Sequence, residues 1–156
     1  MLAVIMIGLL QACSFKANDQ QANRPLIIGE GWQPVPTAMR IYPSTRFAVR
    51  DGEQVLDARV ELFDQMGDSV KGTGQFSFEL LEDIGPMGTG TQLYVWDIEV
   101  FTLEAQQKYY DPISRGYLFR LRMDDAEIAK QGGVLQVVFT PLKGDRLDAM
   151  QTIKPR

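Results

Sequence analysis

The segment Lys108-Tyr109-Tyr110-Asp111-Pro112-Ile113-Ser114-Arg115 gathers two phenols, a carboxylate and a guanidinium in one short stretch of chain. Tyr and Arg join broad contact area to polar reach, which is why they recur at binding hot spots. Tyr109, Tyr110, Asp111 and Arg115 are therefore the candidate binding residues. The plainer alternative is that one Tyr packs over an edge of the fold while Asp111 and Arg115 pair to fix the loop. A second group is acidic. Asp64 and Asp68 share one loop, and with Asp57, Asp145 or Asp148 nearby they could offer calcium hard oxygen ligands. Their spacing is not that of an EF-hand loop, and ordinary turn carboxylates are the simpler account. A third group, Glu79, Glu82 and Asp83, contains the paired carboxylates that a glycosidase-like hydrolase would need, although a solvated strand end has the same composition.

Other chemistry is closed by what is absent from the sequence. There is no histidine, which removes Ser-His-Asp and Cys-His catalysis, His-ligated metals and the commonest general base near neutral pH. Gly85-Pro86-Met87-Gly88-Thr89-Gly90 is glycine-rich but lacks the Gly-Lys-Ser/Thr ending of a phosphate-binding loop, and reads as a turn. The net charge of −4 and a pI near 4.8 argue against nucleic acid, whose binding needs clustered Lys and Arg to displace counterions. No cofactor and no metal are expected, and nothing here points to an enzyme.

A single cysteine, Cys13, allows no intrachain disulfide and needs another explanation. It follows an uncharged apolar run, Met1 to Leu10 (MLAVIMIGLL), and precedes a polar stretch, Ser14 to Arg24. The run is too short to span a bilayer, which takes about 20 apolar residues, but it suits a signal-peptide core. Leu10-Gln11-Ala12-Cys13 resembles the lipobox of bacterial lipoproteins, with Leu at −3, a small residue at −1 and Cys at +1. The resemblance implies cleavage before Cys13, a diacylated thiol and a mature protein held in the membrane by lipid. Gln at −2 is less usual for the family. No Lys or Arg precedes the apolar run, so a basic region is expected upstream of Met1. Ser14 at +2, rather than Asp, implies export to the outer membrane of a diderm bacterium under the family's sorting rule. Residues 1–12 are thus expected to be a signal peptide. Residues 13–36 are expected to be the lipidated N-terminus and a flexible tether, and residues 37–156 a single domain.

The elements that would position these groups are strands. Ala58, Val60 and Leu62 alternate with Arg59 and Glu61, and Phe76, Phe78 and Leu80 alternate with Gln75, Ser77 and Glu79. Period-two patterning of this kind places apolar side chains on one sheet face. The turn-rich Asp64 to Asp68 between the two runs predicts a hairpin. Trp96, Ile98 and Val100 form a third inward stripe, with Trp96 expected in the core. Tyr117, Phe119 and Leu121 form a fourth, opposite Arg120 and Arg122, and Leu135, Val137 and Phe139 a fifth. Leu147 to Ile153 closes the chain, and Met39 to Tyr42 and Arg46 to Val49 add short segments. One connecting helix is expected over Ala126 to Gln131, with Asp124 as its cap, Glu127 completing a capping box and Gly132 ending it. A second helical turn around Leu103 to Lys108, after Thr102, is a weaker signal.

Seven or eight short strands with turn signals between them predict a mostly β fold, an antiparallel two-sheet β-sandwich, with a closed barrel as the alternative. Leu56 to Leu81 (LDARVELFDQMGDSVKGTGQFSFELL) resembles the strand-turn-strand core of transthyretin-like and carboxypeptidase-regulatory-like modules, while a larger C2-like or immunoglobulin-like sandwich stays open. That resemblance implies topology, not activity. The expected role is a lipid-anchored adaptor or structural module of the cell envelope, with the membrane and an envelope protein as partners. The alternative is an envelope hydrolase using paired carboxylates.

Overall fold

The computed structural model describes residues 32–156; Cys13 and the segments flanking it, Met1 to Leu10 and Ser14 to Arg24, lie outside the described residues. Within them the chain runs β1 (Ala38–Ile41), β2 (Arg46–Arg50), β3 (Glu53–Phe63), β4 (Ser69–Val70), β5 (Gly74–Asp83), β6 (Thr89–Glu99), α1 (Leu103–Tyr109), β7 (Tyr110–Asp111), β8 (Gly116–Arg122), α2 (Ala126–Gln131), β9 (Gly133–Pro141) and β10 (Leu147–Ile153). Two antiparallel sheets result. The first has the order β1-β3-β8-β7, with β2 and β4 also paired to β3; the second is β10-β9-β5-β6. The expected two-sheet sandwich is present, with ten described strands where seven or eight were expected. The excess lies in β4 and β7, two-residue pairings that carry no alternation of their own to be read.

The inward stripes read from the sequence are the two halves of one core. Leu56, Ala58, Val60 and Leu62 of β3 and Tyr117, Phe119 and Leu121 of β8 meet Phe76, Phe78 and Leu80 of β5 and Leu135, Val137 and Phe139 of β9, all essentially without solvent exposure. Aromatic members of different strands pack as tilted or edge-on pairs, the Phe76 ring 4.5 Å from Phe139 and 5.0 Å from Phe119 and Phe78 4.9 Å from Phe119, while Phe76–Phe78 and Tyr117–Phe119 along one strand are stacked. These geometries suit the ring quadrupole and add to the apolar area buried. Among the described residues the core runs from Ile41 to Ile153, and Gln33–Arg156 forms a compact unit of its own.

Three expectations are corrected. The runs of β3 and β5 do not form a hairpin. After the Asp64–Gly67 turn, β3 pairs with β4 through Leu62 opposite Val70 and Phe63 opposite Ser69, and the chain then crosses to the other sheet. The crossing is made at Gly72 and Gly74, where a Cβ would lie 2.6 Å from Phe139 Cζ and 2.3 Å from the Thr140 carbonyl oxygen, respectively. Only glycine lets the chain pass this close to the core. Trp96 is half-buried rather than core, because β6 is an edge strand. Its indole N–H donates to the Arg122 carbonyl at 2.8 Å and its ring stacks on Tyr94, tying the two sheets together at that side. The cap of α2 is Asp125, one residue later than expected. Its carboxylate accepts from the Glu127 N–H at 2.8 Å, and Gly132 ends the helix at φ 80°.

Candidate functional site

The segment singled out in the sequence folds as a helix followed by a hairpin. The Thr102 hydroxyl accepts from the Ala105 N–H at 3.1 Å and starts α1. The first turn carries Glu104 and the last Lys108, which suits the helix dipole. Gln106 anchors the helix to the sandwich, its side-chain amide donating to the Gly72 carbonyl at 2.7 Å and to that of Val100 at 3.0 Å. Gln106 Oε1 in turn accepts from the buried Tyr117 hydroxyl at 2.8 Å, and that hydroxyl accepts from the Gly72 N–H at 3.0 Å. Burial pushes the Tyr117 phenol up to about 12, against the opposing pull of these hydrogen bonds.

This anchoring places Tyr109 and Tyr110 against β8. Tyr109 lies 5.1 Å from Phe119, and Tyr110 meets Tyr117 edge-on at 5.3 Å through the pairing of β7 with β8. Both rings are half-buried, and each carries a lysine: Lys108 Nζ is 4.8 Å from the Tyr109 centroid and Lys71 Nζ 4.5 Å from that of Tyr110. Asp111 fixes the next turn by accepting from the Ser114 hydroxyl at 2.7 Å and the Ile113 N–H at 3.0 Å. The Ser114 hydroxyl, then these backbone donors, hold its carboxyl below the usual range. The ion pair considered between Asp111 and Arg115 is not formed; Ser114 takes its place, and Arg115 sits exposed in the turn at φ 55°.

Tyr109, Tyr110 and Asp111 line one open cleft of about 560 Å³, and Arg115 is outside its lining. Arg120 and Arg122 of β8 and Arg50 and Glu53 of the β2–β3 hairpin complete its charged lining together with Lys108 and Asp51. Two of these cations are taken up: Arg50 binds Asp57 at 2.6 Å, and Arg122 binds Glu53 at 2.9 Å. Among the described residues Lys108 and Arg120 make no ion pair. The contribution of Arg120 and Arg122 was not anticipated. Their alternation with Phe119 and Leu121 marked them as outward-facing, but only the fold carries the Tyr pair to their side. A second cleft, of about 490 Å³, includes Arg46, Lys154 and Arg156 and no carboxylate side chain.

The acidic groups are not assembled for metal. Asp64 is buried, and its Oδ1 accepts from the N–H groups of Met66 at 2.9 Å and Asp68 at 3.0 Å, closing its own turn. Asp57 is engaged by Arg50, and Asp148 is on β10 of the other sheet. Among the described residues no three of Asp, Glu, Cys and His gather as a metal site.

The fold and site together define a two-sheet antiparallel β-sandwich with a cleft lined by tyrosines and arginines. No family model matches the chain, and no curated protein matches it. Among solved structures it is similar to a superoxide reductase (neelaredoxin) from Ignicoccus hospitalis, at 15% identity and a TM-score of 0.39, over 78% of this chain and 82% of that one. That likeness is too distant to bear on activity.

Proposed function

We propose that the chain is a lipid-anchored binding module of the cell envelope, held by acylated Cys13 and meeting its partner through the cleft of Tyr109, Tyr110, Lys108 and Arg120. The observation that carries the cleft assignment is the convergence of two half-buried phenols with two unpaired cations on one side of the sandwich. Such a lining offers apolar area and charge-assisted hydrogen bonds to an incoming polar group. The lipobox-like Leu10-Gln11-Ala12-Cys13 supports the anchor, and Ser14 supports an outer-membrane address.

The hydrolase alternative is less well supported. A carboxyl acting as general acid needs its proton retained near neutral pH. Glu79, Glu82 and Asp83 lie on β5 and line neither cleft, while in the tyrosine cleft Asp111 is held below the usual carboxylate range by its own turn and Glu53 is paired with Arg122.

Two measurements test the proposal. Mass spectrometry of protein recovered from membranes is expected to show a chain beginning at acylated Cys13; a free thiol there or an intact Met1 would end the lipoprotein reading. A photo-crosslinking residue at position 120 is expected to capture a defined partner in intact cells, whereas one at Val95, on the outer face of the other sheet, captures none. An equal yield at both positions would remove the cleft assignment.

A further inference from the structure

The outward positions of the first sheet form an array of arginines. Antiparallel register places Arg46 of β2 and Arg120 of β8 on either side of Asp57 of β3, Arg50 opposite Glu53, Arg122 opposite Val55, Arg59 opposite Leu118 and Arg40 of β1 opposite Glu61. Three of the four carboxylates of this face each take one arginine, at 2.6 Å for Arg40–Glu61, 2.6 Å for Arg50–Asp57 and 2.9 Å for Arg122–Glu53, while the fourth, Asp111 of β7, is bound by its own turn. Arg46, Arg59 and Arg120 make no ion pair among the described residues. The carboxylates also lie deeper than their partners. The Glu61 and Asp57 side chains are 5% and 8% exposed, against 56% and 44% for Arg40 and Arg50, so solvent meets guanidinium.

The second sheet is the opposite. Strands β5, β6, β9 and β10 contain no Lys or Arg, while Glu79, Glu82, Asp83, Asp97, Glu99 and Asp148 all lie on them. The net charge of −4 therefore conceals a domain that is cationic on one broad side and anionic on the other. Near a negatively charged plane, such a domain is turned with its arginine side inward and its acidic side away.

We propose that this arginine face docks the domain onto anionic phospholipid headgroups, the partner that the cleft's cations meet first. The proposal deepens the binding reading above and rests on it. Three features favour a lipid surface over a discrete ligand. The guanidiniums are spread over neighbouring strands, each about 4.8 Å from the next, which matches a lateral field of phosphates. The chain enters the domain on the same sheet, where the Thr37 N–H bonds to the Phe63 carbonyl at 2.8 Å beside β1. Cys13 precedes Pro36 by only 23 positions in the sequence, so a lipid on Cys13 keeps the headgroups at high effective concentration and a weak attraction suffices.

The test uses residues 33–156, the compact unit that contains the core, sedimented with phosphatidylcholine vesicles with and without phosphatidylglycerol. Binding is expected only when phosphatidylglycerol is present, and it is expected to fall as salt is raised. Arg46→Gln, Arg59→Gln and Arg120→Gln together are expected to weaken it by on the order of a hundredfold. The corresponding Lys triple variant keeps most of the binding, because a headgroup field reads charge rather than guanidinium geometry. Melting curves of both variants report folding, and the lipid and salt dependence of the unsubstituted domain stands even if a variant unfolds.

The proposal is overturned if the domain ignores phosphatidylglycerol, if the folded Gln variant binds as well as the parent, or if heparin binds where vesicles do not. A protein captured from position 120 while vesicles remain unbound leaves the binding module standing and removes the lipid surface. Vesicle binding combined with an unacylated Cys13 does the reverse to the anchor.

Discussion

At the scale of single residues, the Tyr117 hydroxyl bears on both stability and the site, because it joins Gly72 at the sheet crossing to Gln106 on α1. Tyr117→Phe leaves a buried N–H and a side-chain carbonyl without a partner. It is expected to cost about 1–3 kcal/mol in denaturant unfolding and to loosen the helix that presents Tyr109. The phenol also contributes to the alkaline limit. Its folded value is raised to about 12 from an ordinary 10.0, so its contribution is intact below the ordinary value and is lost as pH rises through the folded one. The Phe variant is expected to lack this alkaline loss; an identical profile in both proteins would mean that Tyr117 is not the group responsible. Glu61 acts at the acid end. Burial pushes its carboxyl up, but Ser69, Tyr42 and Arg40 together outweigh burial and hold it below its ordinary value of 4.5. Its stabilisation is thus present above that value and disappears as pH falls through the lowered one. Glu61→Gln is expected to flatten the acid limb of the stability curve while lowering stability at neutral pH, where Arg40 loses its partner.

Among the elements, the end of the crossing from β4 to β5 controls how closely β5 runs beside β9. A Cβ on Gly74 would stand 2.3 Å from the Thr140 oxygen and 2.8 Å from Pro141 Cα, both backbone atoms that no rotamer change can move. Gly74→Ala is expected to lose about 1–3 kcal/mol through overpacking. Gly52→Ala, in the open β2–β3 turn at φ 83°, bears only the left-handed conformational cost of roughly 1 kcal/mol. Equal denaturation midpoints for Gly74→Ala and the parent would show that β5 and β9 do not approach this closely. The crossing was only partly legible. The glycines of Gly72-Thr73-Gly74 and the inward stripes on both sides of it were visible, but the stripes are compatible equally with two strands paired in one sheet and with two strands facing across a core.

For the whole molecule, Gln33–Arg156 is a compact unit with a core of its own, which predicts that this unit folds by itself. Residues 33–156 are expected to unfold in one cooperative transition, within a few degrees of the chain that begins at Cys13; a broad or absent transition would show that the sandwich needs the preceding segment. The segregation of charge belongs to this scale too. A sum of −4 describes solubility and long-range repulsion. It is blind to the fact that β5, β6, β9 and β10 have no basic residue while six arginines share the outer face of their neighbours.

The sequence by itself determined which side of each long strand is apolar, where α2 lies and stops, and which short segment brings two tyrosines together. These are local properties: side-chain alternation follows from the pleat, and a cap depends on a few consecutive residues. Tertiary structure alone decided that β3 and β5 belong to different sheets, that Tyr109 and Tyr110 share a cleft with Arg120 while Arg115 does not, and that Ser114 rather than Arg115 holds Asp111. Strand partners are chosen by closing a common core, which depends on every inward face at once. The cleft and the arginine face are by-products of that closure, drawn from segments that are far apart along the chain.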